Sequence, residues 1–470
     1  MFHPPHPLMT SRVHANRSSP CRHHTQGDAM TAESSPALAP KIAVIGSGPS
    51  GCYTAQFLRK EMPDAEITIF EALPVPYGLV RYGVAADHQG TKAVTRQFDR
   101  MFERSGITFV GNTRVGDDID HATMARAFDV VVLATGLTAD RSLAIPCADQ
   151  ARVVGAGALL RLLNAYPGRY LPATDALRSN LGRSVAVVGH GNVGIDVVRL
   201  LTKTTDQLVG SDIHDEALEV LRPSPAGDVH VVGRSSAADA KFDLAMVREI
   251  CALDTVTISV HGLEDTDTGA TAQLLRSSAH GADRHVTDGS PTSRVHFHFR
   301  AVPTAIRTEG DKTILDVTRG GNNTGTTPIA VDTVVTAVGF CPEDTSSDDQ
   351  AWNGTRLYRV GWLDRGGRGN IAENRKHSLA VVNSIVSDLR NRTPSDIHKG
   401  GLAAVASKLP SAAVDFSGWL CINEAERDRA DDSRCRRKIT EVDHMVTVAG
   451  PAESIRRAIT ASTTPEGAQF

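Results

Sequence analysis

Two glycine-rich stretches carry the chemistry that this chain can do. Gly46-Ser47-Gly48-Pro49-Ser50-Gly51 follows the apolar run 41–46 and opens a segment of helical pattern. In such a G-x-G-x-x-G turn, Gly46 permits a sharp reversal, Gly48 lets a pyrophosphate approach the backbone, and Gly51 lets the helix pack on the strand. The free N–H groups at the helix start would face phosphate oxygens. Glu71 ends the next apolar run, 25 residues after Gly46, where a carboxylate can accept hydrogen bonds from ribose hydroxyls. A glycine turn without a ligand is the competing reading, and the run of strand, helix, strand and terminal glutamate argues against it. Gly189-His190-Gly191-Asn192-Val193-Gly194 repeats the pattern after the apolar run 184–188. There the following strand ends in Gly233-Arg234-Ser235-Ser236, with no acid. A carboxylate would repel a 2′-phosphate, whereas a guanidinium can clamp one with paired hydrogen bonds. Arg234 therefore points to NADP, unless it is a solvated strand-end charge.

Two dinucleotide sites in one chain suggest a resident flavin and a mobile nicotinamide. Flavin chemistry asks little acid–base help of side chains; the protein supplies geometry, exclusion of water and tuning of the flavin.

The elements that must hold these turns read as repeated βαβ units. Residues 41–46, 66–71 and 128–133 are expected as buried strands, with a helix to about residue 62, a second helix over 97–105 and an extended stretch at 107–110. The second unit has strands at 184–188 and 229–232, a helix over 193–203 and a charged insertion at 204–228. A buried strand is expected over 331–338 and an amphipathic helix over 374–390 with Asn374 as its cap. Segments 263–294 and 341–356 read as loops. The fold class is α/β, two Rossmann-like dinucleotide-binding domains with the second inserted into the first. The FAD-binding part is placed at 41–137 and 347–470, and the NAD(P)-binding part at 138–346.

The bulk numbers exclude little else. Of 470 residues, 41% are hydrophobic and 22% charged, as in ordinary globular proteins. The net charge of −4 gives no global attraction to nucleic acid or anionic lipid. Seven cysteines include no C-x-x-C pair, so no structural zinc or redox-disulfide motif is signalled and no metal is expected. Their odd number fits reduced thiols and a cytoplasmic location. No apolar run approaches a membrane span. Residues 1–40 carry Arg12, Arg17 and Arg22 and no acid before Asp28. They read as a disordered tail, a misassigned start with Met30 as the true one, or a presequence that would place the protein in the mitochondrial matrix.

Three longer stretches are far more specific than the glycine motifs. Residues 76–88 run PYGLVRYGVAADH, residues 191–199 run GNVGIDVVR, and Val360-Gly361-Trp362 is followed by Arg365-Gly366 and Gly369-Asn370-Ile371. With them the chain resembles the adrenodoxin-reductase type of ferredoxin–NADP reductase over almost all of residues 41–450. The resemblance implies that Ser50, Glu71, Leu79 and Val115 touch FAD, and that Trp362 and Gly369, Asn370 and Ile371 lie against its isoalloxazine. It places Arg141, Asn192, Val193, Gly194, Ile195, Arg234 and Gly369 at the nicotinamide dinucleotide. His88 and Asp196 match polar residues near the electron-transfer region, with Trp362 beside them. His88 could instead be a structural histidine, and Asp196 could simply orient its helix. The helix after Gly369 would turn its positive N-terminal end toward a reduced flavin.

The chain departs from the family where the second phosphate contact is expected. Ser235 stands in place of a second arginine after Arg234 and is counted with it at the dinucleotide. Met246 replaces a glutamate, Ala86 a proline and Asn370 an apolar residue, while Asp239 and Asp243 add negative charge. NADPH is the expected donor, with NADH as the alternative and Lys241 as a compensating cation if it turns inward. The implied reaction moves a hydride from NADPH to FAD and then single electrons to a ferredoxin-type iron–sulfur protein. Arg276, Arg284, Arg294 and Arg300, and Arg365, Arg368, Arg375 and Lys376, could form a basic face for an acidic partner or be ordinary solvated charges. Competing readings are a reductase subunit similar to the small subunit of glutamate synthase, which Cys21 alone before the first strand does not favour, and a degenerate flavoprotein acting as a sensor. No nucleic-acid partner and no oligomer is expected.

Overall fold

The computed structural model describes residues 39–463, except 169–170, 172–173, 223, 281–292, 320–324, 343–348 and 392–398. The expectations for residues 1–38 and for Arg284 lie outside the described residues. Five parallel strands form the first sheet, in the spatial order Arg356–Arg359, Val130–Leu133, Lys41–Ile45, Glu66–Phe70, Thr108–Val110. Past their first residues the central strands are buried and almost wholly apolar because both faces are covered, as parallel sheets require. Ile42, Val44, Val130 and Val132 pack toward Ile385 and Leu58, and Ala43, Ile45 and Val131 pack on the opposite face with Met124 and Phe128. Helices Pro49–Glu61 and Ile371–Arg390 lie side by side on the first of these faces. The C-terminal part returns to the same core through Trp419, Ile422 and Met445.

Six parallel strands form the second sheet, in the order Val153–Gly155, Thr333–Thr336, Ser184–Val188, Asp228–Val232, Ser293–His298, Val256–His261. Helices Ala156–Leu163, Asn192–Thr202 and Leu244–Ala252 share one apolar core with its inner face. The other face is covered by a three-stranded antiparallel sheet, Ala301–Glu309, Lys312–Arg319 and Thr326–Val331, through Ile306, Leu315, Val317 and Ile329. The chain enters and leaves this second unit through Ala139–Asp140 and Phe340–Cys341, which pair antiparallel. The architecture is thus two Rossmann-like sheets, the second inserted into the first.

Three expectations change. Residues 331–338 do not form one strand, because Asp332 interrupts it: its carboxylate accepts from Arg183 N at 2.7 Å and Ser184 N at 2.9 Å and pairs with Lys312. Within 263–294, Ala270–His280 is a helix rather than a loop, held by Ala272 and Leu275 in the core. The long helix starts at Ile371, and its cap is Asn370, not Asn374. Asn370 accepts from Glu373 N at 3.1 Å while Glu373 Oε2 accepts from Asn370 N at 3.0 Å, a reciprocal capping box.

Beyond the antiparallel cover, the same sheet face carries four histidines. His230 faces His296, and His298 faces His261, in register on neighbouring strands. Each pair of rings stacks at 4.6 Å, and His230 Nδ1 lies 3.0 Å from His298 Nε2. Burial first, and the neighbouring imidazoles second, push His230 down to about 4 and His298 down to about 2. Among the described residues no group of three or more His, Cys, Asp or Glu is arranged to hold a metal ion.

Candidate active site

The two glycine turns have nearly the same construction. Gly46 and Gly189 take φ of +104° and +133°, which an L side chain rarely adopts. Each donates its N–H to the last residue of a neighbouring strand, Gly46 to Phe70 O and Gly189 to Val232 O, both at 2.8 Å. A Cβ on Gly46 would sit 2.6 Å from Ala134 O, and one on Gly189 would collide with Ala337 O. A Cβ on Gly51 would collide with Gly46 O, and one on Gly194 would come within 2.7 Å of Gly189 O. By contrast, a Cβ on Gly48 or Gly191 meets nothing within 4 Å. These two glycines cap helices Pro49–Glu61 and Asn192–Thr202, and neither helix has a side-chain cap or an acid in its first turn. Helix-start N–H groups that no side chain caps, facing open space, are what a pyrophosphate needs. FAD and NADP therefore fit the two turns.

The middle residue of each turn is tied to the strand end that should read the ribose. Glu71 Oε2 accepts from Ser47 N at 3.0 Å and Ser47 Oγ at 2.6 Å, and Oε1 accepts from Leu73 N at 3.2 Å. The glutamate is fixed beside the first turn with acceptor capacity left over. In the second turn the counterpart pair is His190 and Ser235, Nδ1 to Oγ at 3.3 Å. His190 is buried against Phe242 and Phe299, and burial pushes it down to about 4. Ser235 is thus turned inward to His190, while Arg234 is exposed at the strand end.

The other expected flavin residues gather around the first turn. Gly78 takes φ of +47° as the chain crosses over Gly48, which brings the helix start at Leu79 beside the turn. Val115 is half-buried two residues after Thr113, whose N–H bonds Glu71 O at 2.9 Å. Gly361, at φ of +75°, packs so closely on Ser50 that a Cβ would collide with Ser50 Oγ. Ser378 Oγ also donates to Ser50 O at 3.1 Å. Trp362 follows Gly361 and stacks on Phe340 at 5.4 Å, and its indole Nε1 is buried without an acceptor among the described residues. A buried indole N–H lacking a partner is costly, and a bound flavin could offer the missing acceptor. Gly369 takes φ of +87° between Arg365 and Glu373, where a Cβ would collide with Glu373 Oε2, next to the capping box of Asn370 and half-buried Ile371. That helix start already carries the Glu373 carboxylate, so its positive end is partly neutralised, unlike the two glycine turns. Arg141 lies at the crossover, where its N–H donates to Gly339 O at 2.9 Å and its Nη2 to Phe340 O at 3.3 Å.

His88 and Asp196 do meet. His88 Nδ1 is 3.5 Å from Asp196 Oδ1, and its Nε2 is 3.2 Å from Glu249 Oε2. Beneath them Arg199, fully buried, bonds both oxygens of Asp87 at 2.7 and 2.9 Å and Asp196 at 2.7 Å, and Lys203 reaches Asp87 at 2.7 Å. Burial raises the Asp196 carboxyl above its ordinary range, opposed by Arg199 and His88. Burial acts the same way on Asp87, but Arg199 and Lys203 override it and hold that carboxyl low. The network joins the first unit's 85–88 loop to helices of the second. Sequence reasoning missed Glu249, Arg199 and Asp87 as members, although Asp87 and Arg199 lie inside motifs it quoted.

A second buried joint ties three distant segments. Lys92 and Lys438 both bind Asp212, at 2.7 and 2.9 Å, and both reach Asn164 Oδ1. Arg81 Nη2 bonds Glu426 Oε1 at 2.5 Å nearby. The basic run at 434–438 is thereby absorbed: Arg434 pairs with Asp215, Arg437 with Asp431, and Lys438 with Asp212. Three of the four arginines expected on a basic face of the second unit have partners within the chain. Arg300 pairs with Asp267, Arg294 with Asp228, and Arg276 donates to the carbonyls of Asp267 and Glu264. Arg368, Arg375 and Lys376 remain exposed near Gly369.

Residues 40–354 match the family model described as pyridine nucleotide-disulphide oxidoreductase. The chain is 39% identical over 452 residues to cindoxin reductase of Citrobacter braakii, covering 92% of this chain and 94% of that protein. It is 32% identical over 435 residues to the NADPH-ferredoxin reductase FprA of Mycobacterium tuberculosis, covering 82% and 93%. The solved structure of that FprA in complex with NADPH superposes with a TM-score of 0.73 at 28% identity, covering 87% of this chain and 99% of that one.

Proposed function

Because this chain belongs to the pyridine nucleotide-disulphide oxidoreductase family, and within it to the adrenodoxin-reductase type of ferredoxin–NADP reductase, we propose that it oxidises NADPH and passes electrons one at a time to a ferredoxin-type iron–sulfur protein. Bound FAD supplies the conversion of a two-electron hydride into single electrons. The observation that carries this reading is the pair of matching glycine turns, each ending in an uncapped helix start in front of open space.

In this reading 41–137 and 347–470 bind FAD and 138–346 binds the nicotinamide nucleotide. Gly46, Gly48 and Gly51 receive the FAD pyrophosphate, with Ser50, Glu71, Leu79 and Val115 around it. Trp362, Gly369, Asn370 and Ile371 border the flavin ring and keep water from it. Gly191, Asn192, Val193, Gly194 and Ile195 receive the NADPH pyrophosphate, Arg234 and Ser235 border its adenosine end, and Arg141 and Gly369 contact the nucleotide from the crossover and the flavin loop. His88 and Asp196, backed by Glu249 and Arg199, form a charged junction where the two units meet and hold their relative position. The chain has no C-x-x-C pair to carry a disulfide exchange. Among the described residues no helix is long and apolar enough to cross a membrane. A cytoplasmic monomer is the form we assign, with the mitochondrial matrix as the location if residues 1–40 act as a presequence.

Anaerobic stopped-flow mixing with NADPH and with NADH, followed at the oxidised flavin band, tests the reading. Rapid bleaching by NADPH at lower concentration than NADH is expected, followed by reduction of an added ferredoxin. Preference for NADH would overturn the cofactor assignment. No bleaching by either would point to a binding protein instead.

A further inference from the structure

We infer that Lys241 holds the adenosine 2′-phosphate of NADPH together with Arg234, in the role that a second arginine at position 235 would otherwise fill. This inference rests on the reductase reading above and assigns its donor specificity to a pair of cations.

Residues 241–243 lie directly on the second glycine turn. Lys241 N donates to His190 O at 2.8 Å, Lys241 and Gly191 form a parallel bridge, and Asp243 N donates to Asn192 Oδ1 at 2.6 Å. Between them Phe242 is buried against the His190 ring. The Arg234 strand end packs on the same ring: a Cβ on Gly233 would come 2.5 Å from His190 Nδ1, and Ser235 Oγ faces that nitrogen. The segments that carry Arg234 and Lys241 therefore both contact His190, one through its ring and one through its carbonyl. Residues in bridge pairing are about 5 Å apart at Cα, and a lysine side chain spans a similar distance, so its ammonium can reach a group seated on the turn.

The remaining candidates are otherwise engaged. Ser235 is turned inward. His190 is buried and uncharged at neutral pH. Asp239 accepts from Ser236 Oγ at 2.7 Å, and Asp243 caps its own helix by accepting from Ala245 N at 2.9 Å. Arg234 and Lys241 are both exposed, and neither has an ion pair among the described residues. Position 235 carries a hydroxyl turned to His190, and the second cation stands at 241, whose backbone pairs with the turn.

The test compares wild type with Lys241→Met, Lys241→Arg and Arg234→Met in the flavin-loaded full chain. Binding of 2′,5′-ADP, which carries the 2′-phosphate without the pyrophosphate or nicotinamide, is measured by calorimetry. The Kd for NADPH and NADH is taken from the concentration dependence of flavin bleaching. Lys241→Met should weaken 2′,5′-ADP and NADPH by about five- to tenfold, as for loss of one partly exposed charge-assisted contact, and leave NADH unchanged. Lys241→Arg should retain the wild-type values. Equal weakening of NADPH and NADH would place Lys241 on the pyrophosphate and overturn the inference, as would no change with either. If wild type itself failed to bind 2′,5′-ADP, the NADPH reading would fall, whereas normal binding by both wild type and Lys241→Met would remove Lys241 alone.

Discussion

Gly48 and Gly51 stand three residues apart in one turn and are glycine for opposite reasons. Gly51 has no room, since a Cβ would run into Gly46 O; Gly48 has room that the protein does not use. Substitution at the two sites should therefore separate folding from binding. Gly48→Glu is expected to yield folded protein with normal circular dichroism that purifies without FAD, because the carboxylate takes the pyrophosphate's place and repels it. Purification of a fully flavin-loaded Gly48→Glu protein would refute the assignment of this turn. Alanine at 51 should instead lower stability itself.

The histidine rungs set a pH dependence at the level of the sheet. His230 and His298 are held below their ordinary value near 6.5, down to about 4 and about 2. The unfolded chain therefore binds more protons than the native chain below about pH 6.5, and native stability falls as pH drops from there toward 4. The groups facing these rings are His261, His296 and Arg319, all cationic or able to become so, and Asp228, which is already paired with Arg294 and with His296 Nε2 at 3.1 Å. A melting series from pH 7.5 to 5 should show Tm falling by a few degrees, the shift that about 2–4 kcal/mol produces in a chain of this length. The His230→Gln, His298→Gln double variant should flatten that slope. An unchanged slope would show that the stacked rings titrate elsewhere.

For the molecule as a whole, the joint at Asp212 decides whether the two nucleotide units melt separately. One buried carboxylate serves two ammonium groups from segments 120 and 226 residues away. Removing one member of a buried ionic network leaves uncompensated charge, typically at a cost of about 3–5 kcal/mol. Asp212→Asn should thus lower Tm markedly, with flavin release and loss of secondary structure coinciding in one transition. A wild-type melting point for this variant would mean that the units are held by their apolar contacts alone. Joints of this kind were not legible in the sequence, because nothing local marks Lys92, Asp212 and Lys438 as neighbours. The glycine turns were legible because their rules are local and steric. The cap of the long helix was misplaced by four residues because Asn370 and Asn374 are equally good caps by type, and only the reciprocal bond to Glu373 selects the first. The antiparallel sheet over 301–331 escaped notice because Pro303 and its polar alternation resemble a loop until the sheet beneath is known.

The inserted architecture also bears on synthesis. Val130–Leu133 pairs on one side with Lys41–Ile45, made well before it, and on the other with Arg356–Arg359. About 220 residues separate that edge from its second neighbour, which at ribosomal rates is a wait on the order of 10–40 s. Throughout that interval a fully apolar VVVL edge lies open on the growing chain, the kind of template on which strands from other chains add. Nascent chains halted before Arg356 should therefore depend on chaperone binding to stay dispersed, and those carried past it should not.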